Sequence, residues 1–323
     1  MFKQPPFKIT PKILASVQEI FLLLGKIHQK DFKANSDIKL RKDNSIRTIK
    51  SSVAIEGNTL SLDQVTDILN GKMIVASQRE ISEVKNAIAT YEKFDMFDAF
   101  KTEDLLEAHR LLMSGLTENP GRFRNSQVGI FKGGEAIHIA PSCVEVSGLM
   151  ADLFHYLIEA EDSLLIKSCV FHYELEFIHP FTDGNGRIGR LWQQLILAKI
   201  HPVFKVICVE ELLEKEQGNY YEALRQCDVS GKSTSFIEFM LKIILEALIK
   251  VNLHTRIVLK SNFFDRLLYA RNLLNEFKRQ DYMKLFPGIS SATASRDLRD
   301  GINNKILEKS NSGNQTLYRF IKG

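Results

Sequence analysis

Apolar residues recur at three- and four-residue steps along most of the chain, the spacing of helices that bury one face. Ile13, Leu14, Val17, Ile20, Phe21, Leu24 and Ile27 predict a helix over Pro11–Asp31. The polar, basic stretch Asp31–Asn44 reads as a loop or a solvated helix. Ile46, Ile49, Val53 and Ile55 place a second apolar stripe over Ser45–Glu56. Gly57 and Asn58 close it, since glycine after the last helical residue is a common stop. Further helices are expected over Leu62–Leu69, Glu80–Phe97, a segment N-capped by Thr102, Val144–Ala160, Leu164–Ile178, about Gly186 to Ile200, Tyr220–Arg225 and Ser235–His254. In the first three quarters of the chain, period-two alternation is convincing only in Val128–Phe131 and Ala136–Ile139. They flank Gly133-Gly134, which is a hairpin pattern. Beyond Leu259 the pattern changes. Helices over Phe263–Phe277, Asp281–Leu285 and Ser290–Leu298, the last ended by Gly301, precede two apolar stretches, Ile306–Leu307 and Leu317–Phe320. Three helices and a two-stranded wing describe a winged helix-turn-helix. The expected fold class is mainly α, with one small hairpin and this tail.

Composition bounds the picture. The 323 residues suffice for two or three domains, and 44% hydrophobic with 25% charged residues is ordinary for a globular chain. A net charge of +4 does not point to nucleic acid over the whole molecule. The charge is uneven, because Arg256–Lys322 holds 13 Lys+Arg against 6 Asp+Glu, which leaves −3 for the rest. Cys143, Cys169, Cys208 and Cys227 form no CxxC pair and no zinc-like spacing, and are expected as free thiols in a reducing cytoplasm. Met1–Thr10 carries two lysines and two prolines with no apolar block, unlike a signal peptide. Apolar runs such as Ile20–Leu24 are far short of the ~20 residues that span a bilayer.

The densest chemistry lies in His179-Pro-Phe-Thr-Asp-Gly-Asn-Gly-Arg-Ile-Gly-Arg190. Pro180 disfavours the α region at His179, so the preceding helix should stop there. The run then forms a loop that opens the next helix. Backbone N–H groups at a helix N-terminus attract anions, and glycines let the backbone approach them closely. Arg187 and Arg190, three apart, are neighbours on a helix, and two guanidinium forks suit an oligophosphate. Asp183 can hold Mg2+, which takes one or two carboxylates and completes its shell with phosphate oxygens and water. His179 can accept a proton from an attacking hydroxyl.

The run matches HPFx(D/E)GNGRxxR at every signature position and so resembles the Fic (Fido) family. The likeness extends from about Leu105 to His254, including Gly121-Arg122-Phe123-Arg124, the hairpin and Tyr220-Tyr221. It implies a Fic-type helical core over 101–254, between an N-terminal helical segment (1–100) and the winged tail (255–323). It also implies transfer of AMP from ATP to a hydroxyl of a protein. His179 would be the base, Asp183 the Mg2+ ligand, and Gly184, Asn185, Gly186, Arg187, Ile188, Gly189 and Arg190 the phosphate site. Lys132, Gly133 and Gly134 would lie in a flap that pairs with the target segment. Asn219, Tyr220 and Tyr221 would lie near the adenine, or else pack as a tyrosine pair at a helix start.

Ser52-Val-Ala-Ile-Glu56-Gly57-Asn58 matches the (S/T)xxxE(G/N) motif of one class of that family, in an inhibitory helix here expected over 45–58. There the glutamate pairs with the second arginine of the signature, here Arg190. One guanidinium cannot hold both that carboxylate and a γ-phosphate. Removal of AMP, with Glu56 orienting a water, is the rival reading of the same loop. In the tail, Ser290, Ser291, Thr293, Ser295, Arg296 and Arg299 lie on the second helix of a helix-turn-helix. They would serve DNA binding or a protein contact. A homodimer would fit the family.

Overall fold

The computed structural model describes residues 4–27, 38–132, 135–255, 263–271, 274–286, 289–312 and 315–321. The described residues are mainly helical and fall into two compact units. One holds α1 (Pro11–Lys26) and the chain from Asp43 to Ala247; the other is mainly the chain from Leu248 on.

The first unit is organised around α7 (Leu164–Ile178) and α8 (Asn185–Ala198), which pack against each other. Residues all around α7 are buried, among them Leu165, Cys169, Val170, Phe171, His172 and Leu175, as befits a helix enclosed on every side. The buried Trp192 of α8 packs edge-on against Phe154 of α6 (Val146–Glu159) and donates its indole N–H to Ala99 O at 3.0 Å. α5 (Thr102–Leu112) packs on α8, and α4 (Gln78–Glu92) on α5. α3 (Leu62–Leu69) starts with a full capping box of Ser61 and Gln64 and packs on α4. α2 (Ile38–Ile55) buries Ile46, Ile49, Val53 and Ile55, while the left-handed Gly57 (φ 95°) turns the chain after it. α9 (Val209–Lys215), α10 (Gln217–Ser230) and α11 (Thr234–Thr255) follow α8. β1 (Gly129–Lys132) and β2 (Glu135–Ile139) form an antiparallel hairpin with an irregularity between Ile130 and Phe131. Gly133 and Gly134 lie outside the described residues.

Several boundaries differ from the periodic reading. α1 stops at Lys26, where Ile27 turns extended and its N–H closes the helix on Leu23 O. α2 starts at Ile38, so part of the polar stretch before Ser45 is helical without an apolar stripe to mark it. Thr102 is the first helical residue and not the cap; Lys101 precedes it without a side-chain capping bond. α4 ends at Glu92, and a 3-10 turn at Phe94–Met96 takes up the remainder. α9 went unpredicted, its seven residues being too few for a periodic signal.

The second unit runs α12 (Phe263–Arg271), β3 (Glu276–Phe277), α13 (Arg279–Leu285), α14 (Ser291–Asn303), β4 (Leu307–Ser312) and β5 (Gln315–Phe320). The expected two-stranded wing is a three-stranded antiparallel sheet, order β3-β5-β4. The third strand comes from the end of the predicted helix Phe263–Phe277, where Phe277 joins the core with Tyr282, Phe286, Leu298 and Phe320. Gly301 does not end α14 but lies buried within it. A Cβ there would meet Leu267 Cδ1 at 2.7 Å and Leu307 Cδ1 at 2.9 Å, so its role is close packing.

Candidate active site

The loop between α7 and α8 is held from three sides. Its first residue, His179, sits before proline and is left-handed (φ 50°, ψ 59°), where the pre-proline bias favours extended backbone. Arg124 accounts for this. Its buried guanidinium donates to His179 O (2.8 Å), Ile178 O (3.3 Å) and Pro141 O (2.6 Å), and its backbone N–H donates to Pro180 O. An arginine on the last carbonyls of a helix also complements the negative end of the dipole. Burial lowers the Arg124 pKa.

His109 of α5 holds the middle of the loop. It accepts the Gly121 N–H at Nδ1 (2.9 Å), so its proton is on Nε2, which faces Asp183 O at 2.9 Å. Its ring stacks on Phe181 with centroids 3.6 Å apart. Burial pushes its pKa down to about 4, keeping it neutral. Asn185, also buried, closes the loop on itself by bonding Phe181 N and O, both at 2.9 Å.

Gly184 caps α8 in the left-handed region (φ 87°), and a Cβ there would lie 2.6 Å from Met113 Sδ. A side chain at Gly186 would collide with the Glu56 carboxylate and lie 2.9 Å from Arg190 Nη1. The first-turn N–H groups of α8 have no intrahelical partners and carry the positive end of its dipole. They front a cavity of about 500 Å3 lined by His179, Thr182, Asp183, Gly184, Asn185, Gly186 and Arg190. Glu56, Glu176, Tyr220 and Tyr221 share that wall.

Arg190 is buried, its side chain 1% exposed, and is held by α2. It donates to Glu56 Oε1 (2.8 Å), Ser52 O (2.9 Å) and Ser52 Oγ (3.3 Å). Burial opposes its charge, but Glu56, Tyr220 and Glu176 outweigh that cost and raise its pKa. Arg187 donates to Asp183 Oδ1 at 2.9 Å. Arg187 Nε and Arg190 Nη1 are buried without a hydrogen-bond partner among the described residues, as expected of donors meant for a ligand, and Arg187 Nη1 has the Glu83 carboxylate at 3.5 Å as an ion-pair neighbour without a hydrogen bond. Asp183 Oδ1 also accepts the Gly184 N–H at 2.6 Å, whereas Oδ2 faces Arg79. A divalent cation would find one protein carboxylate oxygen there. The described residues contain no group of three or more His, Cys, Asp or Glu that could hold a metal ion, so the rest of its shell would be phosphate and water. A guanidinium already on Oδ2 shows that the position suits a cation, and the donor set fits Mg2+.

The remaining expected residues divide. Tyr220 is buried, with its hydroxyl between His172 Nε2 (3.0 Å) and Glu176 Oε1 (3.2 Å). Tyr221 is half exposed, and its hydroxyl reaches Ile55 O at 3.4 Å. Asn219 is off the cavity wall and exposed, bonded to Glu216 at 2.5 Å. Lys132 lies in β1. The sequence reading missed Arg79, Glu83, His109 and Arg124. The Arg79–Glu83 spacing, i to i+4 on α4, was visible as a pattern, and Arg124 stood without a role in the Gly121–Arg124 stretch that carries part of the family likeness.

A profile described as "Fic/DOC family" matches residues 99–197. A crystal structure of a Fic family protein from Desulfovibrio desulfuricans G20 is 37% identical, covers 99% of both chains and superposes with a TM-score of 0.73. The chain belongs to the Fic family. The Fic fold is shared by a Fic-1 structure from C. elegans at a TM-score of 0.60, 24% identical over 74% of this chain and 70% of that one. "Protein adenylyltransferase Fic" of Culex quinquefasciatus is 32% identical over 216 residues, 62% of this chain. "Protein adenylyltransferase fic-1" of Caenorhabditis elegans is 31% identical over 204 residues, 59% of this chain. The chain spans 40% and 38% of those two proteins. The Fic profile covers α5, the hairpin, α6, α7 and nearly all of α8, hence the whole signature loop, while Glu56 and α4 lie outside it.

Proposed function

We propose that this Fic protein is a self-inhibited, Mg2+-dependent protein adenylyltransferase that moves AMP from ATP to a Ser, Thr or Tyr hydroxyl of a protein, itself included. The observation that carries this reading is the Glu56–Arg190 pair, at 2.8 Å, on the wall of the cavity that also presents the anion-binding turn of α8 and His179. The adenylyltransferase names of the relatives support it. In the proposed reaction His179 takes the proton of the acceptor hydroxyl as that oxygen bonds the α-phosphorus. The bond from the α-phosphorus to the bridging oxygen breaks, and pyrophosphate leaves. The N–H groups of Gly184–Gly186, with Arg187 and Arg190, bind the phosphate oxygens. A bound Mg2+ would neutralise phosphate charge beside Asp183. The β1–β2 hairpin would hold the acceptor segment by strand pairing. Tyr220 and Tyr221 would line the nucleotide end of the cavity. With Glu56 on Arg190, the γ-phosphate loses one guanidinium. Four free cysteines fit a reducing compartment such as the cytoplasm.

The test is mass spectrometry of the Glu56→Gly protein after incubation with ATP and Mg2+. An added AMP is expected, with none on the His179→Ala control. No added AMP on Glu56→Gly, with modified and unmodified candidate targets also unchanged, would overturn the reading. Glu56 and His179 share one cavity, which also suits the reverse use, with Glu56 orienting a water to remove AMP. Loss of AMP from a modified protein that requires Glu56 would favour that direction.

We infer that the second unit is a winged helix, supported by its helix–strand–helix–helix–strand–strand order. α14 exposes Ser291, Ser295, Arg296 and Arg299, which suits nucleic acid. Gel shifts on random duplexes should show binding that falls steeply with salt. No shift would assign this face to a protein contact.

A further inference from the structure

Four alternating charges close a ring between α4 and the signature loop. Arg79 Nε faces Glu83 Oε1 at 3.4 Å, and the same oxygen faces Arg187 Nη1 at 3.5 Å. Arg187 Nη2 donates to Asp183 Oδ1 at 2.9 Å. Arg79 Nη2 donates to Asp183 Oδ2 at 3.2 Å and completes the circuit. The two carboxylate oxygens of Asp183 are unequal. Oδ1 is committed to Arg187 and to the Gly184 N–H. Oδ2 is the one left for an ion, and Arg79 is on it.

The two arginines are unequal as well. Arg187 is built into the loop, with a side chain 5% exposed. Arg79 comes from a separate helix and is 61% exposed, so it can leave Asp183 at small cost. Glu83, only 11% exposed, is anchored by Asn58, whose Nδ2 donates to its Oε2 at 2.9 Å. It therefore remains as a tether for Arg79.

We propose that Arg79 stands in for the divalent cation on Asp183 while nucleotide is absent, and surrenders Oδ2 when the cation arrives with the phosphates. This rests on the reading of Asp183 as the metal carboxylate. Two arginines and two carboxylates make the ring neutral. A bare dication entering it meets the Arg79 guanidinium and gains no net negative charge. An oligophosphate reverses that balance. It brings anionic oxygens both for the cation and for the displaced guanidinium. Free divalent ions are therefore disfavoured a few-fold relative to nucleotide-bound ions, which biases the site against loading with metal alone.

Mn2+ binding followed by electron paramagnetic resonance tests this without any turnover. Wild type, Arg79→Ala, Arg79→Gln and Asp183→Ala would each be titrated with Mn2+, with and without a non-hydrolysable ATP analogue. Arg79→Ala and Arg79→Gln should both bind Mn2+ alone about two- to fivefold tighter than wild type, the scale of one exposed competing ion pair. The gain should shrink when the analogue is present. Asp183→Ala should lose the binding in both conditions. If wild type and Asp183→Ala bind alike with the analogue, Asp183 is not the metal carboxylate and the proposal falls with that reading. If they differ but neither Arg79 variant binds Mn2+ tighter than wild type, only the role of Arg79 is overturned.

Discussion

At the scale of single residues, the proposed control and the proposed phosphate binding meet at Arg190. Its guanidinium holds Ser52 of α2 and Glu56 just after it, and Nη1 is left without a hydrogen-bond partner among the described residues. If the carboxylate and a γ-phosphate compete for one fork with an ordinary coupling of ~1–3 kcal/mol, Glu56→Gly should raise AMP incorporation about 5–150-fold. Labelled ATP measures this, and equal or lower incorporation contradicts the competition. Gly186 explains how the pair fits, since any side chain there would run into the Glu56 carboxylate. The pairing of Glu56 with Arg190 was legible from two motifs. The pairing of Asp183 with Arg79 was not, because an exposed arginine on a distant helix carries no mark of its partner.

At the scale of elements, the loop keeps its shape because other elements grip its carbonyls. Arg124 grips the end of α7, and a lysine there cannot reproduce several directed donors. Arg124→Ala and Arg124→Lys should both lower kcat at least tenfold through a misplaced His179. The alanine variant should also destabilise the fold by about 2–3 kcal/mol from lost charged hydrogen bonds. Unchanged kcat in purified Arg124→Ala would remove Arg124 from this role. In the second unit, Gly301 lets α14 approach Leu267 and Leu307. Gly301→Ala overpacks that contact and should destabilise the unit by about 1–3 kcal/mol, measured by urea unfolding. Helix existence followed from periodicity wherever an apolar stripe was long. It failed for α9 and for β3, whose residues are placed by the core and not by local pattern.

At the scale of the molecule, buried ionisable groups set the response to pH. His172, fully enclosed in α7, has its pKa pushed down to about 3 by burial, and His109 to about 4. Both stay neutral in the fold, so their contribution is present above pH 6.5 and is lost as pH falls towards 3–4. Glu210 is buried near Arg190 and Tyr91, and burial raises its pKa to about 7. Its sign is opposite: the folded state holds its proton more tightly, so stability is full below about 4.5 and declines as pH rises through 7. Thermal melts at pH 5 and pH 8 should therefore show Glu210→Gln gaining stability relative to wild type at the higher pH. A difference independent of pH would mean that Glu210 does not titrate in this window.

The sequence alone determined the helical class and marked the loop of His179, Asp183 and the glycines, together with the Glu56 proposed to oppose it. Those are properties of local spacing and of residue chemistry, and both survive in one dimension. Only the tertiary structure decided which charge neutralises which. Arg124 on the carbonyls of α7, His109 on the Asp183 carbonyl, and Arg79 with Glu83 beside Asp183 all join segments far apart in the chain. Burial makes the Arg124 and His109 partnerships matter, because a cation or carbonyl removed from water must find its partner in the fold, whereas the exposed Arg79 is held only loosely.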